Sequence, residues 1–197
     1  MATTAAIATI GQTLLALLEK ACPRPDFENA TFALYQAKDF AQPMAEGVSL
    51  FLYRVTPSTV RRNVAPPPAP RGSVYRPPLP VDLYYVLTPW AQSATRQHTL
   101  LAWAMRTLED SPTLAAGFLN HYGVQDPPTF RAEETISVVF EPLSLQDAFN
   151  LWEIVSPALQ VSATFAVRLV QLDSLLEDPE GERVQTRVTR LQEEPSV

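Results

Sequence analysis

The sequence predicts an α/β or α+β domain, a mixed or antiparallel central sheet of about four to six strands with helices packed on it. Three observations point there. Two runs, "VSLFLYRV" (Val48 to Val55) and "VDLYYVLT" (Val81 to Thr88), are apolar at nearly every residue and rich in β-formers, as neighbouring central strands covered on both faces would be. Segments with helical spacing of apolar residues lie between the strand candidates, and "VSATFAVRLVQL" near the end alternates with the period of a strand.

Taken in order, residues Thr4 to Leu18 carry Ile7, Ile10, Leu14, Leu17 and Leu18 at helical spacing, with Thr3 or Thr4 as N-cap and Pro23 and Pro25 as the stop. The two central strands follow, separated by a segment without periodicity. "ATRQHTLLAWAMRTLEDSP" places Ala94, His98, Leu101, Met105 and Leu108 on one helical stripe ended by Pro112. Ser111 or Pro112 then opens a short second helix, "PTLAAGFLNHYG", closed by Gly123. "TISVVFEPLSLQDAFNLWEIV" reads as a strand, a corner at Pro142 and a helix with Leu145, Phe149 and Trp152 or Leu151 inward. In the alternating strand Val161, Ala163, Phe165, Val167 and Leu169 face one way, and Ser162, Thr164 and Arg168 the other. After the "DPEG" turn, the polar alternating segment "RVQTRVTRL" suits an edge strand or a detachable arm.

A chain of 197 residues fits one domain with one core, here residues 1–172, followed by an acidic turn, edge strand or arm, and tail over 173–197. Proline is the outlier in composition. There are nineteen, about twice the usual share, and eight of them lie between Pro57 and Pro80. That segment, 57–80, reads as an extended arm or a long loop. The net charge is −6, and residues from Asp173 onward hold seven acids against three arginines, so the body is close to neutral. With no Lys/Arg cluster, phosphate-backbone binding and hence nucleic acid are disfavoured. Only Lys20 and Lys38 are lysines; the other basic residues are arginines, which suit interface hydrogen bonding.

Catalytic groups are scarce. Cys22 is the only cysteine, which rules out an internal disulfide, and nothing near it in sequence marks a nucleophile. The first apolar run lacks a preceding positive charge and is too short and polar to span a bilayer, so a cytoplasmic origin without direct membrane insertion is expected. His98 and His121 read as packed or capping histidines, since neither has a spaced carboxylate partner for a metal site. The glycines are scattered, with no phosphate-binding loop, and no serine lies in a nucleophile elbow. Asp82, inside an apolar strand, is the best acid/base candidate, and its plainer role is a hydrogen-bonded or arginine-paired carboxylate. Glu133 and Glu134, if on a strand, point to opposite faces and make no carboxylate pair. Tyr84, Tyr85, Trp90 and Trp103 suit core or interface positions. No cofactor or metal is expected, and no enzymatic activity.

One combination of motifs is more specific. Leu-Tyr-Arg-Val at Leu52 to Val55, Arg62-Asn63, Arg-Pro-Pro-Leu at Arg76 to Leu79, the strand Asp82 to Thr88, and the helix "LLAWAMRTL" from Leu100 to Leu108 stand in sequence. In this the chain resembles the N-terminal-domain family of the cap, or tail terminator, protein of phage-tail-like extracellular contractile injection systems. Two positions depart from the family pattern, Gln97 for an acid and Ala102 for a glycine. The resemblance implies a tail-terminator-like fold and a homohexameric ring seated on the distal end of the inner tube. Such a ring ends tube polymerisation and anchors the sheath. It also implies synthesis in the bacterial cytoplasm and incorporation in a particle, released or retained. A baseplate or tail-completion adaptor is the alternative, and a small-molecule enzyme using Asp82 the remote one. The arm residues Arg61, Arg62, Asn63, Arg71 and Arg76 are the expected subunit or tube contacts, and Arg183, Gln185, Arg187 and Thr189 the expected strand-adding contacts to sheath or neighbour.

Overall fold

The apolar stripe of the first helix meets its partner in a six-stranded mixed sheet. The computed structural model describes residues 4–59, 74–123, 128–155 and 160–178. In chain order these form α1 (Ala6–Ala21), β1 (Thr31–Leu34), a 3-10 helix (Ala37–Ala41), β2 (Gly47–Pro57), β3 (Val74–Tyr75), β4 (Leu79–Trp90), α2 (Ala94–Glu109), β5 (Thr113–Ala115), α3 (Ala116–Tyr122), β6 (Thr135–Phe140), α4 (Leu145–Val155), β7 (Ala163–Leu172) and β8 (Glu177–Asp178). The main sheet runs β1-β2-β4-β7-β6-β5. β1 pairs parallel to β2, and every other neighbour pair is antiparallel.

Each face of the sheet has its own core. On the first face, Leu50, Leu83, Tyr85, Leu87, Phe165 and Val167 pack with Ile10, Leu14 and Leu18 of α1, Leu100, Ala104 and Leu108 of α2, and Leu119 of α3. Full burial of one such leucine or isoleucine stabilises by about 1.5–3 kcal/mol. On the second face, Phe40 of the 3-10 helix and Trp152 of α4 close over Val86 and Trp90. Phe40 meets Trp152 edge-on, ring centroids 5.6 Å apart. β4 lies under both layers, which is why its residues are apolar on both sides; β2 is buried from Val48 to Leu50 and emerges by Arg54.

Several expectations are corrected. α1 has no side-chain N-cap; its cap residue is Ala5. The buried line of α2 is Leu100, Ala104 and Leu108, with Leu101 and Met105 at its flank, while Ala94 and His98 are exposed. Residues 113–115 are a strand rather than the start of a helix, because pairing with β6 (Leu114↔Ile136) captures them, and α3 begins only at Ala116. In α4, Leu145 is 74% and Phe149 50% exposed, since the first turns overhang the sheet, and Trp152 is the deeply inserted residue among those described. The alternation of β7 breaks at Leu169, whose φ is +69°, opposite an irregularity between Val81 and Leu83. Beyond that bulge Val170 takes the inward position. Val161 lies outside the strand.

Candidate assembly surfaces

β4 and β7 do not stop at the edge of the body. After Leu79↔Leu172, the backbone N–H of Arg76 donates to the carbonyl of Leu176 (2.9 Å), and Tyr75 and Val74 of β3 pair with Glu177 and Asp178 of β8. The same two chain segments therefore continue as a two-stranded ribbon. Neither β2, which ends at Pro57 opposite Val81, nor β6 accompanies them. Leu79, Leu175 and Leu176 are 52%, 74% and 59% exposed along this ribbon.

The proline segment leaves β2 at Ser58, whose N–H donates to the carbonyl of Pro80 (2.9 Å), and rejoins the described chain at β3. Arg76 stands exposed on the ribbon. Arg61, Arg62, Asn63 and Arg71, and Arg183, Gln185, Arg187 and Thr189, lie outside the described residues. The structure brings the roots of the two expected arms together, a pairing of two-residue strands too short and too near Pro77 and Pro78 to register as a strand signal.

On the second face, beyond the Trp152 cluster, Arg54 lays its guanidinium 4.2 Å from the centroid of the Tyr84 ring. Arg168 donates to Glu141 (2.8 Å). Asp82 is 8% exposed and its Oδ1 has no hydrogen-bond partner; the Nε of Arg168 is likewise buried without one. Asp82 is thus a buried carboxylate close enough to Arg168 to act on it electrostatically, without the hydrogen bond or ion pair that the plainer sequence reading expects at Oδ1, and it lines neither the cleft nor the pocket described next.

An apolar cleft of about 360 Å³ opens where α4 crosses the end of β6 and β7, lined among others by Met105, Phe140, Pro142, Leu151 and Trp152. At the other end of β6 a polar pocket of about 270 Å³ is lined by Arg131, Glu133, Glu134, Thr135, Leu169 and Gln171. Glu133 and Glu134 sit in the turn before β6, not on it, and so share one pocket instead of pointing to opposite faces. The Arg131 N–H donates to Glu134 Oε2 (2.7 Å), and its guanidinium donates to Asp173. Burial pushes the Glu134 carboxyl above the usual carboxylate range.

Cys22 is buried and its thiol is pushed up by that burial. His98 and His121 are exposed, His121 edge-on to Tyr122 at 4.8 Å. Among the described residues no three His, Cys, Asp or Glu side chains cluster to hold a metal ion, and no helix is long and apolar enough to cross a membrane.

The described residues define a mixed α/β body, a two-faced sheet with a projecting two-stranded ribbon. The model of the Pvc16 N-terminal domain family matches residues 9–186, and the chain belongs to that family. Its fold is similar to the sheath/tube terminator of the extracellular contractile injection system PVC in its extended state, at 14% identity and TM-score 0.65 over 97% of this chain. It is also similar to the tube-terminating cap of the anti-feeding prophage, at 14% identity and TM-score 0.55 over 89% of this chain. The chain spans 65% and 59% of the length of those two proteins. No curated protein matches it.

Proposed function

We propose that the chain is a non-enzymatic terminator of a contractile injection system: a homohexameric ring on the distal end of the inner tube that stops tube growth and anchors the sheath. The observation that carries this reading is family membership across nearly the whole chain, together with a terminator-like fold over 97% of it. A terminator needs a rigid body and surfaces that bind unlike neighbours, and a ring needs a heterologous interface that closes. The doubly covered β4 supplies the rigidity, and the ribbon places the roots of both expected arms at one end of the sheet. Made in the bacterial cytoplasm, the protein is incorporated into the particle with tube and sheath as its partners.

In the proposed assembly, the 57–80 segment, with Arg61, Arg62, Asn63, Arg71 and Arg76, contacts the neighbouring subunit or the tube, and Arg183, Gln185, Arg187 and Thr189 add a strand to sheath or neighbour. The test is co-expression with the cognate tube and sheath proteins, imaged by electron microscopy with and without this chain. Tubes of defined length with density at the end distal to the baseplate, only when the chain is present, are the expected result. Unchanged lengths without distal density refute it.

A further inference from the structure

The second face of the sheet carries a buried carboxylate oxygen without a hydrogen bond and, apart from it, an exposed guanidinium without a carboxylate partner among the described residues. At the polar pocket, lined by Glu133 and Glu134, the Arg131 guanidinium is taken by Asp173, and among the described residues Glu134 has only the Arg131 backbone N–H, at Oε2. Glu134 Oε1 and Asp173 Oδ1 are both buried without a hydrogen bond, and the Asp173 side chain is only 1% exposed. Both of these atoms are acceptors, and an unpaired buried acceptor is costly, most of all a charged one. The wall of the pocket includes Leu169, held at φ +69°, a conformation that L-residues with side chains adopt at a cost and that gathers at functional sites.

Among the described arginines the matching cation is Arg54. Arg24, Arg96, Arg106, Arg131 and Arg168 each have a carboxylate partner. Arg54 is exposed, has none among the described residues, and is held over the Tyr84 ring, so its guanidinium is oriented before it meets anything. Both groups lie on the same face. They cannot meet within one copy: the register Arg54↔Tyr84↔Ala166↔Val139 puts Arg54 three strands away from β6 and level with Val139, five residues beyond Glu134. At about 4.8 Å per strand and 3.3 Å per residue, that is a separation of about 22 Å, far beyond the reach of an arginine side chain.

We propose that Arg54 of one copy of this chain enters the Arg131–Glu134–Leu169 pocket of a second copy, where its guanidinium donates to the orphaned Glu134 oxygen. Glu134 lines the pocket. The contact joins two different patches, so it serves a head-to-tail ring as well as a pair. It concerns the chain alone and stands or falls independently of tube capping.

The test uses the full chain without tube or sheath, with association measured by sedimentation equilibrium at tens of micromolar and melting temperature followed in parallel. R54Q and E134Q are each expected to weaken self-association about tenfold to a hundredfold, the worth of a charged hydrogen bond. R54E and E134R are expected to abolish it singly, and the R54E/E134R double variant to restore it. E134Q should not lower the melting temperature, because it removes a buried unpaired charge. R54Q alters only an exposed side chain and keeps the test valid if a pocket variant folds poorly. A wild type that stays monomeric, single variants that associate normally, or a double variant without rescue each overturns the proposal. Raised E134Q stability with unchanged association also overturns it, and assigns the pocket to solvent.

Discussion

Gly47→Ala is the substitution the fold should tolerate least. Gly47 opens β2 at φ +146°, a region essentially closed to residues with a Cβ. A Cβ built there would lie 1.9 Å from the Thr31 carbonyl oxygen and 2.8 Å from its carbon, in the strand that β2 holds by parallel pairing, and 2.7 Å from Met44 Sδ. The methionine sulfur can swing away, but the Thr31 backbone cannot move without parting β1 from β2. Adopting the conformation costs about 1–3 kcal/mol, and loosening the first β1–β2 contact adds on the order of 1 kcal/mol for a weakened hydrogen bond. We therefore expect about 2–4 kcal/mol of destabilisation in urea unfolding, with an unchanged m-value and faster hydrogen exchange confined to residues 31–34. Gly11→Ala is the control. It gains about 1 kcal/mol of helix propensity, while its Cβ meets only the movable methyls of Leu34 at 3.0 and 3.1 Å and the Tyr85 hydroxyl at 3.5 Å, so a near-neutral outcome is expected. A Gly47→Ala loss below about 1 kcal/mol would refute the backbone-clash argument.

Three further outcomes follow from single contacts. Ser49→Ala leaves the buried Trp90 indole N–H, now donating to Ser49 Oγ at 2.8 Å, without an acceptor, and should cost about 1–3 kcal/mol; in a Trp90→Phe background the same change should be nearly neutral. Gln97→Glu removes the donor that reaches the Pro89 carbonyl at 2.9 Å and should lower stability by about 1 kcal/mol or more in urea titration at neutral pH. Because the folded-state Glu134 carboxyl titrates above its unfolded value, the native state binds more protons between the two values, and stability falls as pH rises through that window. Glu134→Gln should flatten that part of the melting-temperature profile. Its gain over wild type should be full above the window and vanish below it.

How much of this was legible beforehand depended on whether a segment's neighbours left a mark in its own residues. β4 was legible because both of its faces are buried, so nearly every position is apolar. β1 was not: four residues with two of them exposed carry no period, and the strand exists because β2 offers it a parallel ladder and α1 covers it. The alanine-rich continuation of "TLA" makes it read as helix, and only β6, twenty residues downstream, decides otherwise. Leu145 and Phe149 have the right helical spacing for a core, and spacing does not say where the sheet beneath them ends. The polar pocket escaped for the same reason, since placing Glu133 and Glu134 on a strand separates two carboxylates that a turn brings together.

The shared ribbon changes what truncation can tell about the arms. A deletion from Glu182 onward leaves β8, and with it the β3–β8 pairing, in place. Loss of sheath attachment with normal tube capping would then belong to the removed residues themselves. A deletion from Leu175 onward takes away Leu176, whose carbonyl holds the Arg76 N–H, and both partners of β3. It should disturb the root of the proline segment and so weaken the proposed tube or subunit contacts along with sheath attachment. If the shorter deletion already impaired both functions equally, the two segments would act as one contact. If the longer one spared tube capping, the pairing would be dispensable and the proline segment would depend only on its anchor at Ser58 and Pro80.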